Sequence, residues 1–171
     1  MTKAAKALES HVSIAWGIVM GLQDYRRILE TACASSPDWD ADSIFFGKPI
    51  VSNNARVWFQ FFEPADLCRM VIDLGAIEEK ARGNIWRLML ESNCGNKSNL
   101  LPFMALHPEN GNAILVIHLS LGKFECYARK PDFSRYLDEM LAPLVESWRN
   151  GNHAISNIGQ NAGPMLGGGF A

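Results

Sequence analysis

The sequence predicts an α+β fold in which helices pack against a twisted antiparallel sheet. Apolar residues recur at helical spacing near the start, in the middle and near the end of the chain, and short runs of period two lie between them. The links between those runs are too short to contain the crossover helix that parallel pairing needs. The predicted order is helix, three strands, helix, two strands, helix. At 171 residues, with 48% hydrophobic and 20% charged residues, the chain fits one domain, placed over residues 1–150.

The first helix is predicted over Ala4 to Thr31. Leu8, Val12, Ala15, Val19 and Leu22 follow at spacings of three and four, and Ile14, Ile18, Tyr25, Ile28 and Leu29 widen the stripe, so more than one side must be covered. Gly17 and Gly21, about one turn apart, mark either a close approach or a weak point. Ser35-Ser36-Pro37 ends the pattern, and the chain to Asp42 reads as a polar loop. Strands are predicted over Ser43 to Val51, Arg56 to Phe62 and Leu67 to Leu74, with Pro49 confining the first to a sheet edge. Helical spacing returns from Ile77 to Asn93, with Gly83-Asn84 as a later start and Gly95 as a stop. Leu101 to His107 and Ala113 to Leu121 form a predicted hairpin, with Leu115, Ile117, Leu119 and Leu121 on one face. The last helix is expected from Asp132 to Arg149, kinked or divided by Pro143, and residues 151–171, rich in glycine and asparagine, as a disordered tail.

Charge and composition exclude several functions. A net charge of -2 offers no concentrated positive field for nucleic acid, since Arg26-Arg27 and Arg129-Lys130 are isolated doublets. The longest apolar run, Ile14 to Leu22, is about half of what a bilayer crossing needs. Cys33, Cys68, Cys94 and Cys126 are widely spaced and no signal peptide is read at the start, so reduced thiols in a cytoplasm are expected.

Catalytic and cofactor motifs are not found. The isolated glycines make no phosphate loop, and Asp38, Asp40 and Asp42 imitate a calcium loop that then offers Ser43 and Pro49 where glycine and glutamate belong. The hairpin could bring His107 towards His118 for a zinc, and His118 could activate Cys68 or Cys126, but no spacing fixes either contact. Glu78-Glu79 and Asp138-Glu139 are adjacent pairs, read as solvated helix faces. No metal, cofactor or catalytic residue is predicted.

Surplus apolar surface is the informative feature. In Arg56 to Phe62 both faces are large and apolar, so the excess belongs under a helix, at an oligomer interface or on a surface kept for a partner. Phe45, Phe59, Phe61, Met70 and Ile72 form one patch if the three strands pair in sequence; the competing reading makes them core.

The stretch Ile85-Trp86-Arg87-Leu88-Met89-Leu90-Glu91-Ser92-Asn93 resembles the leucine-rich second helix, ending in asparagine, of the specialised chaperones of bacterial type III secretion, the class related to the Tir chaperone. Phe103-Met104-Ala105-Leu106-His107-Pro108-Glu109-Asn110-Gly111 is similar to that family's strand and turn before a long apolar strand, here Ala113 to Leu121. The resemblance covers about Leu8 to Trp148; the long loop from Cys33 to Asp42 and Pro143 depart from the pattern. It implies a bacterial cytoplasmic homodimer that keeps the N-terminal segment of a secreted effector extended, without ATP, with the secretion apparatus as a further candidate partner. It also implies a dimer interface from Trp86, Met89, Leu90, Ile117 and Leu119, and partner grooves at Phe45, Phe59, Phe61, Met70 and Ile72. Two rivals stand beside it: a small-molecule binder or enzyme of α+β build, with one deep polar pocket, and an adaptor subunit with a flat apolar surface.

Overall fold

A computed structural model of the chain describes residues 21–94 and 102–161, and side chains as far as Gly151. The elements are α1 (Leu22–Cys33), α2 (Ala41–Phe45), β1 (Ile50–Ser52), β2 (Ala55–Phe62), β3 (Leu67–Gly75), α3 (Arg82–Cys94), β4 (Phe103–Leu106), β5 (Ala113–Ser120), α4 (Leu121–Ala128) and α5 (Phe133–Asn161). The five strands form one sheet in the order β1-β2-β3-β5-β4, and every neighbouring pair is antiparallel. The α+β class and the β1-β2-β3 meander match the sequence expectation.

Local chemistry fixes the turns. Asn53 and Asn54 both hold positive φ, 52° and 59°, which a two-residue type I′ hairpin turn demands and asparagine tolerates. The turn is fastened to α5: Ser52 Oγ donates to Asp138 Oδ1 at 2.5 Å and Asn53 Nδ2 to the Asp138 carbonyl at 2.7 Å. At the far end of β3 the pairing with β5 slips between Asp73 and Gly75. Gly75 takes φ +98° there, a value that other residues rarely adopt, while its amide donates to Asp73 Oδ1.

Strand alternation divides the sheet into two faces. Val57, Phe59, Cys68, Met70, Ile72, Leu115 and Ile117 share the inner face and are buried with Tyr25, Ile28 and Leu29 of α1, Phe124 of α4, and Phe133, Leu137, Leu141 and Val145 of α5. An aromatic seam joins the layers. Phe59 stacks on Phe124 at 5.5 Å, Phe124 meets Phe133 edge-on at 6.1 Å, and Tyr25 stacks on Phe61 at 5.5 Å. Such pairs add about 0.5–1.5 kcal/mol beyond the area they bury. A smaller cluster, Ile77, Ala81, Ile85, Met89 and Ala113, seats α3 beside the same face.

The structure corrects several elements. Ser43 to Val51 is not a strand: Asp40 caps α2 by accepting from the Ser43 amide at 3.0 Å, and only Ile50–Ser52 extends. The predicted strand to Leu121 stops at Ser120, whose hydroxyl caps α4, a helix absent from the predicted order. Its buried Leu121, Phe124 and Ala128 have helical spacing, but Gly122 weakens the signal. Pro143 does not divide α5; it is exposed and removes one main-chain bond from a helix already held by Phe133, Leu137, Leu141 and Val145. Nor does a tail begin at residue 151, because the helix runs on to Asn161: extending a formed helix costs far less than nucleating one. Residues 162–171, the first-helix expectation over residues 4–20, and Gly95 as a stop lie outside the described residues.

The inner face predicts its own energetics. Ile72→Ala, at a position with no solvent exposure, should lower stability by about 2–5 kcal/mol, whereas Val51→Ala at the exposed sheet edge should stay within about 0.5 kcal/mol. Urea unfolding midpoints measure both, and equal midpoints would contradict this division of the sheet.

Candidate functional site: the α3–β4 ridge

In helix α3 the run Ile85 to Leu90 sets apolar residues on more than one side. Ile85 and Met89 turn inward, while Trp86, Leu88 and Leu90 remain 43%, 49% and 66% exposed. Five apolar residues within Ile85 to Leu90 exceed what one buried stripe accommodates, so the remainder must face water or a partner. Arg87 and Glu91 pair at 2.7 Å on the solvent side, and the Arg82 guanidinium lies 5.9 Å from the Trp86 ring.

The helix stands as a ridge between two clefts. On the β4 side, a cleft of about 270 Å³ is lined by Trp86, Met89, Leu90, Met104, Ala105 and Leu106. On the α5 side, a larger one of about 390 Å³ is bounded by Leu74, Leu88, Met89, Met104, Leu144 and Trp148, among others. Met89 and Met104 contribute to both, and methionine adapts well to irregular partners. The buried Trp148 Nε1 has no hydrogen-bond acceptor among the described residues.

Asn93 locks the ridge to the sheet. Its Nδ2 donates to the Met104 carbonyl at 2.7 Å, and its Oδ1 accepts from the Met104 amide at 2.8 Å. Both main-chain groups of Met104 therefore point off the sheet edge and are satisfied by one side chain.

The predicted site residues divide. Trp86 and Leu90 are on the ridge, with Met89 beneath them. Ile117 and Leu119 are not: β5 is an interior strand whose odd-numbered residues face the helix layer, so Ile117 is buried and Leu119 packs on the core. Phe59, Met70 and Ile72 are likewise enclosed under α1, α4 and α5, which removes them from any open patch. Phe45 and Phe61 are half-buried at the rim, each against Tyr25, at 6.1 and 5.5 Å. Leu88, Leu106 and Leu144 were not singled out by sequence; five apolar residues within Ile85 to Leu90 are the signal that could have found Leu88.

The other face of the sheet carries no packed helix among the described residues. Trp58, Val71, Val116 and Phe103 form one cross-strand row, and Gln60, Arg69 and His118 the next. Val116 is buried and the others in the first row are half-buried.

The predicted catalytic contacts do not form. Cys68 faces the core while His118, paired with Arg69, faces the opposite side, and Cys126 is exposed on α4. Asn112 pairs with His107 at one end of β5 and His118 lies six residues along it, roughly 20 Å at 3.3 Å per residue. Asp38, Asp40 and Asp42 form no calcium loop: Asp40 is a helix cap, its carboxyl held below the usual range by the Ser43 hydroxyl and amide, and Asp42 pairs with Arg26. No cluster of three metal-ligating side chains occurs among the described residues, and no described helix is long and apolar enough to cross a membrane. No protein-family model matches the chain, and no curated protein or solved structure matches it.

Two measurements check this geometry. Asn93→Ala should cost about 1–3 kcal/mol, because two main-chain groups lose their partner, and should speed hydrogen exchange at the Met104 amide; unchanged exchange would argue against the lock. All four cysteines are unpaired. Burial pushes the Cys68 thiol far up, and burial followed by the Asp40 charge pushes Cys33 up to about 11. A thiol reagent at pH 8 should label exposed Cys94 and Cys126 quickly, Cys33 more slowly and Cys68 only on unfolding; labelling of Cys68 as fast as Cys126 would contradict the burial.

Proposed function

We propose that the chain is a homodimeric chaperone of the type III secretion class. In this reading it holds the N-terminal segment of a secreted effector extended in a bacterial cytoplasm and makes or breaks no covalent bond. The observation that carries it is the α3 ridge, which presents Trp86, Leu88 and Leu90 to solvent between two apolar clefts. Covering one such side chain contributes about 1.5–3 kcal/mol, so an isologous contact that seats Trp86 and Leu90 of each protomer in its partner's β4-side cleft uses each residue twice.

Two features support a polypeptide as the cargo. Strand β1 ends the sheet, and an extended chain can add main-chain hydrogen bonds along a sheet edge. Beside it, the half-buried Phe45 and Phe61 and the 80% exposed Phe46 provide an aromatic rim for side chains of such a segment. The cost of ordering the cargo is offset by this burial and by the edge hydrogen bonds, which requires no nucleotide.

A second reading, a carrier of a small apolar molecule, is favoured by the 390 Å³ cleft and the unsatisfied Trp148 Nε1. The two readings separate experimentally. Light scattering on the purified chain should give twice the chain mass, and Trp86→Asp with Leu90→Asp should halve it while the circular dichroism spectrum is retained. Purification from native cytoplasm should yield a protein partner whose N-terminal segment resists limited proteolysis. A monomer that retains a small apolar molecule and no polypeptide would replace the chaperone reading with the carrier.

A further inference from the structure

The outer face of the sheet contains a cation with no counter-charge among the described residues. Arg69 lies in β3, an interior strand, flanked across the sheet by Gln60 and His118. Its Nε donates to His118 Nε2 at 3.2 Å, and its guanidinium lies 5.1 Å from the centre of the Phe62 ring. By contrast Arg26, Arg27, Arg82, Arg87 and Arg135, on helices, and Arg129, which caps α4, each reach a carboxylate. Arg69 is half-buried, yet reaches none among the described residues.

Among the described strand residues, none offers it a carboxylate. Asp73 is the one acidic residue within the five strands. It lies four positions along β3, roughly 13 Å at 3.3 Å per residue, and is engaged with Asn112 Nδ2 at 3.0 Å and the Gly75 amide at 2.9 Å. Around Arg69 the surface is mostly apolar and aromatic: Phe62 and Leu67, with Ser120 beyond them, on one side, and Trp58, Val71 and Phe103 on the other. A guanidinium fixed in such surroundings is weakly hydrated, and its remaining N–H groups suit a carboxylate delivered on an apolar backing.

We propose that this outer face docks an apolar polypeptide segment bearing one carboxylate. Arg69 receives the carboxylate, and Trp58, Phe62, Val71 and Phe103 pack the neighbouring side chains. The proposal rests on the reading of the chain as a holder of polypeptides and adds the chemistry of what is held and a second place for it. A further copy of this chain is disfavoured as the occupant, because two-fold stacking of the same face sets Arg69 against Arg69 near the axis.

A random peptide display library panned against the whole wild-type protein tests this, followed by fluorescence anisotropy on the enriched peptides. The expected consensus has apolar residues and one Asp or Glu, and replacing that acid by its amide should weaken binding about tenfold. On Arg69→Met, checked for folding by circular dichroism, the difference should shrink to about twofold or less; Arg69→Lys, which keeps a charge but not the fork, should retain part of it. Enriched apolar peptides with no acidic preference, or a preference that Arg69→Met leaves intact, would overturn the Arg69 site while leaving polypeptide holding in place. No enrichment on the wild type would overturn both. A change of oligomeric mass in Arg69→Met or Trp58→Ser would assign the face to a second copy and overturn the proposal.

Discussion

The contact between the inner face of the sheet and the helices is the constraint from which the remaining surfaces follow. Phe59, Met70, Ile72 and Ile117 must all face the same way to meet Phe124, Phe133, Leu137 and Leu141. A one-residue slip of any central strand would turn its whole inner set outwards, so burial fixes register here very firmly. Once the register is fixed, Trp58, Arg69, Val71 and His118 have no choice but the opposite side. The outer face is therefore a by-product of the inner one, and its apolar character has to be explained by something beyond the core.

Much of this fold was legible in the sequence, and the exceptions have physical causes. Strands β2, β3 and β5 stand out as apolar runs because interior strands are largely buried, and Asn53-Asn54 states its turn in residue types that tolerate positive φ. Helix α2 was misread because Ile44, Phe45 and Phe46 look strand-like, whereas one hydrogen bond from the Ser43 amide to the Asp40 carboxylate decides the matter. Helix α4 was hidden by Gly122 and by its abutment on β5, where apolar residues run on without a break. The site was legible only in part. Trp86 and Leu90 were named through the family resemblance, and the structure leaves both exposed on α3. Phe59, Met70 and Ile72 could not be sorted from sequence, because alternation says which residues share a face and not which face a helix covers.

Apart from Leu22, Phe46 and Val51, the incompletely covered apolar groups fall into two sets. One set lies along α3 and the rim of β4, the other across the outer sheet, and β4 contributes to both through Leu106 and Phe103. The first set is rich in flexible aliphatic and thioether side chains, which suits close packing against a repeated surface. In the second, an arginine and a histidine lie among aromatic rings, a mixture better matched to an asymmetric guest. This difference in chemistry is the reason for proposing self-association through the ridge and capture of a foreign segment on the sheet.

The amide of Asn93 has a wider meaning for a protein with so many β-prone residues. A bare sheet margin is a template on which further chains can stack into fibrils, and Ala113 to Ser120 is the kind of sequence that sustains such growth. By filling the donor and the acceptor of Met104, a single side chain impersonates the missing neighbour and stops propagation at the middle of a four-residue strand. Along the ridge, apolar side chains are thus displayed beside an edge residue whose main-chain donor and acceptor are already filled, so that contact there falls to side chains rather than to strand pairing.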